Sequence, residues 1–413
     1  DGYYVKHLNL FMDMRCILGT IRSVLKSEGV VEGGTGARHM QNCNKKKLLI
    51  VTNHSYMLYR FRKELIQRLM EDYEVVISTP FVGHEEDLQE LGAHCIKTEV
   101  DRRSVNPVTD LRLLRTYKKI LKREKPDLVI TYSIKPNIYA GYLCGKMRIP
   151  FYANVQGLGT AFQKPLLSDM VTVMYRTAFR KVEKVIFENQ ANAQEFKKRR
   201  ILSEEKEVVL HGAGINLEEY RYRFYPNNEK IHFLYLGRIM KEKGMDELFG
   251  AIERLRKDGC EFVLDLVGFF EEEYKKKVEH LQKEGIVRFY GFQEDPRPFY
   301  AQADCVVLPS YHEGMSNVLL EAAASGRAII TTDIPGCREA VDNGKSGMLC
   351  RVKSADSLYK AMKRFTELSR DKREAIGKAG REKMEKEFDK NQVVEETVKV
   401  ITGNRSKQER GRL

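Results

Sequence analysis

From residue 47 onward the chain alternates short, unbroken apolar runs with longer stretches in which apolar residues recur every three or four positions. Leu48-Leu49-Ile50-Val51-Thr52, residues 75–78, Asp127-Leu128-Val129-Ile130-Thr131, and residues 151–155, 185–188 and 208–210 are runs of the first kind. Residues 59–70, 106–123 and 137–147 are of the second kind. Short strands that are apolar on both faces, set between amphipathic helices, predict a parallel sheet covered on both sides. Residues 216–230 break the pattern with a polar stretch rich in Arg, Tyr and Asn, and are expected to form a linker. The alternation then restarts, with strands expected at 233–236, 262–267, 287–290, 305–309 and 328–331 and helices at 244–257, 274–283, 298–303 and 317–324. Long charged helices follow Asp356. The fold class expected is α/β, two Rossmann-like domains facing a cleft. The boundaries fall at 45–218 for the first domain and 219–385 for the second, with 386–413 as a C-terminal helix and basic tail.

The first 44 residues do not join this pattern; they contain an amphipathic stretch at 11–25 and a loose Gly-rich segment at 29–36. A length of 413 residues is enough for two cores of ordinary size. No run approaches the ~18 apolar residues a spanning helix needs. The chain begins with Asp, and no signal peptide follows. The eight cysteines are scattered without a C-x-x-C pair or zinc spacing, so free thiols in a reducing cytoplasm are expected. The net charge of +13 gathers in clusters at Lys45-Lys46-Lys47, 60–63, 118–125 and 197–200, mostly in the first half. Stacking aromatics are not interleaved with these runs, so an anionic membrane surface is favoured over nucleic acid as the partner. Solvated helix faces account for part of the excess.

Two places carry candidate chemistry. Glu313 and Glu321 bracket E-G-M-S-N-V-L-L-E, which runs from the loop after the strand at 305–309 into the first turns of the helix at 317–324. Taken alone, either glutamate is more commonly a solvated helix charge or an N-terminal capping group than a functional residue. The backbone N–H groups of Gly314, Met315, Ser316 and Asn317 open the helix and are placed to face an anion. A carboxylate at each end of such a cradle suits a ligand with phosphates in the middle and hydroxyls at both ends, as in a nucleotide sugar. The second place is Gly237-Arg238, closing the first strand of the second half, with Lys243-Gly244 five residues further on at a helix start. There Arg238 offers bidentate contacts to phosphate and Lys243 a compact positive charge.

The segments G-R-I-M-K-E-K-G, Y-G-F, A-D-C-V-V-L-P-S-Y-H-E-G-M-S-N-V-L-L-E-A and P-G-C-R-E-A-V resemble family-4 retaining glycosyltransferases of the GT-B fold. In the first half, T-N-H-S-Y-M-L-Y-R-F-R-K-E-L, T-Y-S-I-K-P-N and N-V-Q-G-L-G are similar to the bacterial subgroup that acts on undecaprenyl-diphosphate-linked sugars. The resemblance covers residues 47–401. It implies that Arg238 and Lys243 neutralise the donor diphosphate as it leaves, that Glu313 touches the donor sugar and that Glu321 holds the ribose. It also implies that Gly237 and residues 314–317 (Gly314, Met315, Ser316, Asn317) bind the donor, that Phe292 meets the uracil, and that Gly157, Leu158 and Gly159 line the acceptor side. Many members carry a His where this chain has Thr131-Tyr132-Ser133-Ile134-Lys135, so no His is assigned to catalysis; His54 and His312 are expected to pack or hydrogen-bond.

The function implied is transfer of a hexosyl or N-acetylhexosaminyl group from a UDP-sugar to a lipid-linked saccharide, by an enzyme peripheral at the inner face of the cell membrane. No D-x-D occurs, so no metal and no cofactor beyond the nucleotide-sugar substrate are expected. Residues 1–40 resemble the C-terminal tail of bacterial undecaprenyl-phosphate sugar-phosphate transferases, which implies a fragment of a fusion or a partnership with such an enzyme. The competing readings are a sugar-nucleotide epimerase or a phosphorylase of related two-domain fold, and a basic membrane- or nucleic-acid-binding protein with an inactive site.

Overall fold

The computed structural model describes residues 45–101, 106–159, 162 and 165–403. The expectations for residues 1–44 and for the basic end of the chain after residue 403 lie outside the described residues.

The first half runs β1 (Lys46–Val51), α1 (Ser55–Asp72), β2 (Tyr73–Thr79), α2 (Glu85–Glu90), β3 (His94–Lys97), α3 (Pro107–Glu124), β4 (Leu128–Tyr132), α4 (Ile134–Met147), β5 (Phe151–Val155), α5 (Pro165–Ala178), β6 (Lys184–Phe187), α6 (Gln190–Lys198) and β7 (Glu207–Val209). Its seven strands are parallel, in the order β3-β2-β1-β4-β5-β6-β7. β1 lies between β2 and β4, with Leu48 opposite Val75 on one side and Leu128 on the other. Every residue of β4 and β5 is buried, as strands covered on both faces require.

The second half runs β8 (Ile231–Leu236), α7 (Met245–Lys257), β9 (Phe262–Val267), α8 (Lys275–Lys283), β10 (Val287–Gly291), α9 (Arg297–Gln302), β11 (Cys305–Leu308), α10 (Asn317–Ala324), β12 (Ala328–Thr332), β13 (Gly347–Cys350), α11 (Ala355–Thr366), α12 (Arg370–Glu387) and α13 (Lys390–Thr402). Its parallel sheet has the order β10-β9-β8-β11-β12-β13. Strand order reverses between β1 and β4 in one sheet and between β8 and β11 in the other. Open α/β sheets bind ligands at the carboxyl ends of strands beside such a reversal.

Three departures from the sequence reading have physical causes. The strand β3, with its helix α2, and the strand β13 lie at sheet edges, where half-buried short strands such as His94–Lys97 carry no long apolar run to announce them. The stretch at 216–230 is irregular, yet Tyr220 and Tyr225 within it are buried against the second domain. The C-terminal helix α13 is not a separate appendage. Its Val394, Val398 and Ile401 join the core formed by Leu58, Ile66, Leu69 and Tyr152 of the first half. The chain thus crosses between domains twice, and the crossings are tied together: Ile215 N–H donates to Phe388 O at 2.7 Å and Lys390 N–H to Ile215 O at 3.0 Å.

Candidate active site

A cavity of about 820 Å³ opens between the carboxyl ends of the two sheets. The first domain lines it with Gly157, Leu158 and Gly159, which follow β5, and with Asn192 and Glu195 of α6; the second lines it with Arg238, Lys243, His312, Glu313, Gly314, Pro335 and Lys353. Gly157, Leu158 and Gly159 from one side and Arg238, Lys243, Glu313 and Gly314 from the other, all singled out in the sequence, therefore meet in one space.

Close backbone approaches build this wall. Gly268, after β9, lies against Gly237 after β8, where a Cβ on Gly268 would stand 1.8 Å from Gly237 O. Gly244 begins α7 at φ +76°, and a Cβ there would stand 2.1 Å from Pro309 O. That contact brings the Lys243 turn onto the end of β11 and so beside the glutamate loop. Gly244→Ala combines a left-handed backbone with a backbone clash, and should cost about 2–4 kcal/mol, read as a lower urea midpoint with unchanged slope.

Lys243 Nζ sits 2.5 Å from Glu313 Oε1, and Ser310 Oγ donates to the same oxygen at 2.8 Å. Both members of the pair are largely shielded from solvent. Arg238 Nη1 lies 2.5 Å from Glu271 Oε2, with its guanidinium half-exposed, while Tyr235 Oη donates to the Arg238 carbonyl at 2.6 Å. Each of the two cations is thus pre-positioned by a carboxylate. The Glu313 oxygen that accepts twice is oriented and electrostatically saturated, which suits a fixed hydrogen-bonding group better than a free nucleophile.

Residues 47–189 match the family Glycosyl transferase 4-like, and residues 218–383 match Glycosyl transferases group 1. The chain is also 31% identical over 322 residues to the N,N'-diacetylbacillosaminyl-diphospho-undecaprenol alpha-1,3-N-acetylgalactosaminyltransferase of Campylobacter jejuni, an alignment spanning 73% of this chain and 84% of that protein. The chain belongs to the group 1 glycosyltransferases. The capsular polysaccharide biosynthesis glycosyltransferase CapM of Staphylococcus aureus is 26% identical over 84% of this chain and 94% of its own. Among solved structures, Anabaena HepE in complex with UDP and glucose superposes with a TM-score of 0.71 at 17% identity, over 86% of this chain and 99% of that one, which shows the shared GT-B fold.

The remaining expected site residues of this glycosyltransferase are placed differently from one another. Met315 and Ser316 are buried. The Ser316 N–H is already donated to Gly336 O at 2.9 Å, so it is not open to an anion as the bare sequence suggested. Met315 packs on the first domain, where a Cβ on Gly212 would stand 2.8 Å from its Cγ. Asn317 and Glu321 line not the large cavity but a separate, nearly closed space of about 20 Å³, shared with Arg60, Glu64, Tyr220 and Lys390. Glu321 is 4% exposed, and Tyr300 Oη donates to its Oε2 at 2.8 Å. Burial pushes its carboxyl above the ordinary range, opposed by the Arg60 charge and by the tyrosine hydroxyls. Phe292 stands 57% exposed after β10, edge-on to Phe269.

His312 lines the cavity, whereas His54 accepts the Met57 N–H as the N-cap of α1. At the end of β4, Ser133 occupies the position before α4 at φ 75°, ψ 161°, a region that glycine alone adopts freely. Its Oγ donates to Asn53 Oδ1 at 2.9 Å, joining the ends of β4 and β1 at the strand-order reversal. Sequence reasoning did not single out this pair, nor Asn192, Glu195, Tyr311 and Lys353 of the cavity wall. Asn53, Ser133 and Tyr311 fall inside the segments that carry the family resemblance, whereas Asn192 and Glu195 on α6 and Lys353 after β13 have no motif to mark them.

Proposed function

We propose that this glycosyltransferase moves a hexosyl or N-acetylhexosaminyl group, with retention, from a UDP-sugar to an undecaprenyl-diphosphate-linked saccharide. The observation that carries the reading is the meeting of Arg238, Lys243, Glu313 and the Gly314 turn in one interdomain cavity, in a chain that aligns with 84% of a polyprenyl-diphosphate-sugar N-acetylgalactosaminyltransferase. A second relative acting on such a lipid-linked sugar, the 4-alpha-N-acetylgalactosaminyltransferase of the same organism, is 24% identical over 85% of its length, and supports the same acceptor class.

In this reading the donor diphosphate lies against Arg238 and Lys243 at the mouth of α10, and the two cations spread the charge that develops as the glycosyl bond breaks. Glu313, fixed by Lys243 and Ser310, accepts from the donor sugar's hydroxyls. Glu321, shut in a space of about 20 Å³ in this structure, takes the ribose once the domains part, Phe292 flanks the uracil, and Gly157 to Gly159 leave room for the acceptor. The acceptor hydroxyl oxygen bonds to the anomeric carbon on the face the phosphate leaves, and its proton passes to the departing phosphate oxygen. No carboxylate nucleophile is needed for that course, and no metal takes part. The exposed basic run at the end of α3, residues 118–125, supports docking on an anionic membrane surface, hence a peripheral place at the inner membrane face. The fusion or partnership with a sugar-phosphate transferase rests on residues 1–40, outside the described residues.

The test is a donor screen with the full chain and an undecaprenyl-diphosphate-linked sugar, following UDP release and product mass. UDP release that depends on the acceptor, with a mass gain of one hexose or N-acetylhexosamine, is expected. Conversion of a UDP-sugar without acceptor would replace this reading with the epimerase.

A further inference from the structure

A second cavity, of about 450 Å³, lies in the first domain and shares no lining residue with the catalytic one. The end of α5 and the turn after it supply Arg176 and Arg180, and the segment between α6 and β7 supplies Arg200 and Lys206. Both segments run into the starts of strands, β6 at Lys184 and β7 at Glu207. The cavity therefore sits at the edge of the sheet opposite the strand ends that face the catalytic cavity. Among the described residues, four cations and no carboxylate line it.

Two of these cations are fixed and two are free. Arg176 donates from Nε to Arg199 O at 3.2 Å and from Nη2 to the same oxygen, and Lys206 Nζ donates to Arg180 O at 3.2 Å. Among the described residues the guanidinium groups of Arg180 and Arg200 have no hydrogen-bond or ion-pair partner. Three carboxylates on the flanking segments are committed elsewhere: Asp169 lies 3.6 Å from Arg199 Nη1, Glu204 pairs with Lys197, and Glu205 accepts from Ser203 Oγ.

Arg200 also stands where glycine is the usual residue. The end of α6 is closed by Ile201 N–H to Phe196 O at 3.0 Å and Arg200 N–H to Lys197 O at 2.9 Å, the two reverse bonds of a left-handed helix cap, with Arg200 at φ 51°. Glycine adopts that conformation without the steric cost that a Cβ carries. The chain thus keeps a side chain there at a local cost, and that side chain is a guanidinium in the cavity wall. Unpaired guanidinium forks on two facing segments match the oxygens of a phosphate group. Exposed Val173 adds an apolar wall, and exposed Met170 continues it on the same face of α5.

We propose that this cavity is a phosphate-binding site remote from catalysis, in which Arg180 and Arg200 close on the phosphate while Arg176 and Lys206 hold the two segments in place. The phosphate belongs either to the headgroup of an anionic lipid or to a free phosphate ester. The site does not depend on the donor or acceptor assigned above.

The experiment uses the full chain and two probes, glycerol 3-phosphate by calorimetry and vesicles of phosphatidylglycerol or phosphatidylcholine by co-sedimentation. Arg200→Gly and Arg180→Gln should each weaken binding about tenfold, the scale of one hydrogen bond to a charged group, and binding by the parent should fall as salt is added. Arg200→Gly should leave the urea midpoint close to the parent's, because relief of the left-handed backbone offsets the freedom glycine adds to the unfolded chain. Acceptor-dependent UDP release with a detergent-dispersed acceptor should be unchanged in both variants. Binding confined to phosphatidylglycerol vesicles assigns the phosphate to a lipid headgroup, and equal binding of glycerol 3-phosphate assigns it to a free ester. The double variant Arg180→Lys/Arg200→Lys keeps the net charge but loses both forks, and should still bind several-fold more weakly than the parent. Parental binding by that variant shows attraction by net charge alone and overturns the site. Binding of neither probe by the parent, or equal binding by the parent and by Arg180→Gln and Arg200→Gly, overturns it as well.

Discussion

Replacing Lys243 with methionine should lower kcat by about 10²- to 10³-fold, the scale of losing one pre-positioned charge at a developing anion. The ammonium lies 2.5 Å from Glu313 Oε1 and at the cavity wall, where the donor diphosphate would accumulate charge. The same substitution also leaves Glu313 facing the cavity with Ser310 as its remaining partner, which should cost on the order of 1–3 kcal/mol of stability, less than for a fully buried pair. The two losses separate in the double variant Lys243→Met/Glu313→Gln. A neutral amide no longer needs the cation, so stability should recover while kcat stays low. Arg238→Ala should also lower kcat, with a smaller effect on stability, because its guanidinium is 42% exposed and its bond to Glu271 is partly solvated. Near-parental turnover in both Lys243→Met and Arg238→Ala would remove the phosphate role from this loop.

Gly314→Ala should abolish most activity for a different reason, by keeping the domains apart. A Cβ at Gly314 would stand 2.0 Å from the carbonyl oxygen of Gln156, a backbone atom of the opposite domain that no rotamer change can move. The Gly314 carbonyl is meanwhile held to the first domain by Asn189 Nδ2 at 2.7 Å. Alanine must either break that bond and open the cleft or shift the β5 end. A displacement of about 1 Å at a reacting centre costs on the order of a hundredfold in rate, and an overpacked contact costs about 1–3 kcal/mol. Expected are a kcat loss of about a hundredfold, a larger radius of gyration by small-angle scattering and faster proteolysis at the domain crossings. Gly145→Ala, on α4 and away from the cavity, is the control. Its Cβ would meet Lys181 Cβ at 3.6 Å, an ordinary contact, and most activity should remain. Equal activity in both alanine variants would show that the domains do not need this approach.

Much of the architecture was legible because fully buried parallel strands leave no polar positions. Residues 151–155, 262–267 and 317–324 came out at the bounds the pattern gave, and most other elements within two or three residues. The four-residue edge strands β3 and β13, too short to show a period, and the helix α5, whose register is interrupted by polar residues such as Ser168, escaped. The candidate site was legible through its glycines and charges: Gly237-Arg238, Lys243-Gly244 and Glu313-Gly314 each sit just past a strand end, and strand ends at a sheet reversal are where a ligand finds free backbone groups.

The amino-acid sequence by itself determined two parallel α/β halves, their strand-end loops and the charged residues those loops present, because period and burial are local properties of the chain. Only the tertiary structure decided how the two glutamates differ. Glu313, in the loop, faces the large cavity under Lys243; Glu321, inside α10, turns away into a buried space closed by Tyr300 and by Arg60. Their partners lie on other elements, with Lys243 70 residues from Glu313, and Arg60 234 residues from the Glu294 carbonyl it also binds. Spacing along a chain fixes which side chains share an element. Which charge a buried carboxylate meets depends on how two separately folded sheets close on each other, and no local pattern encodes that.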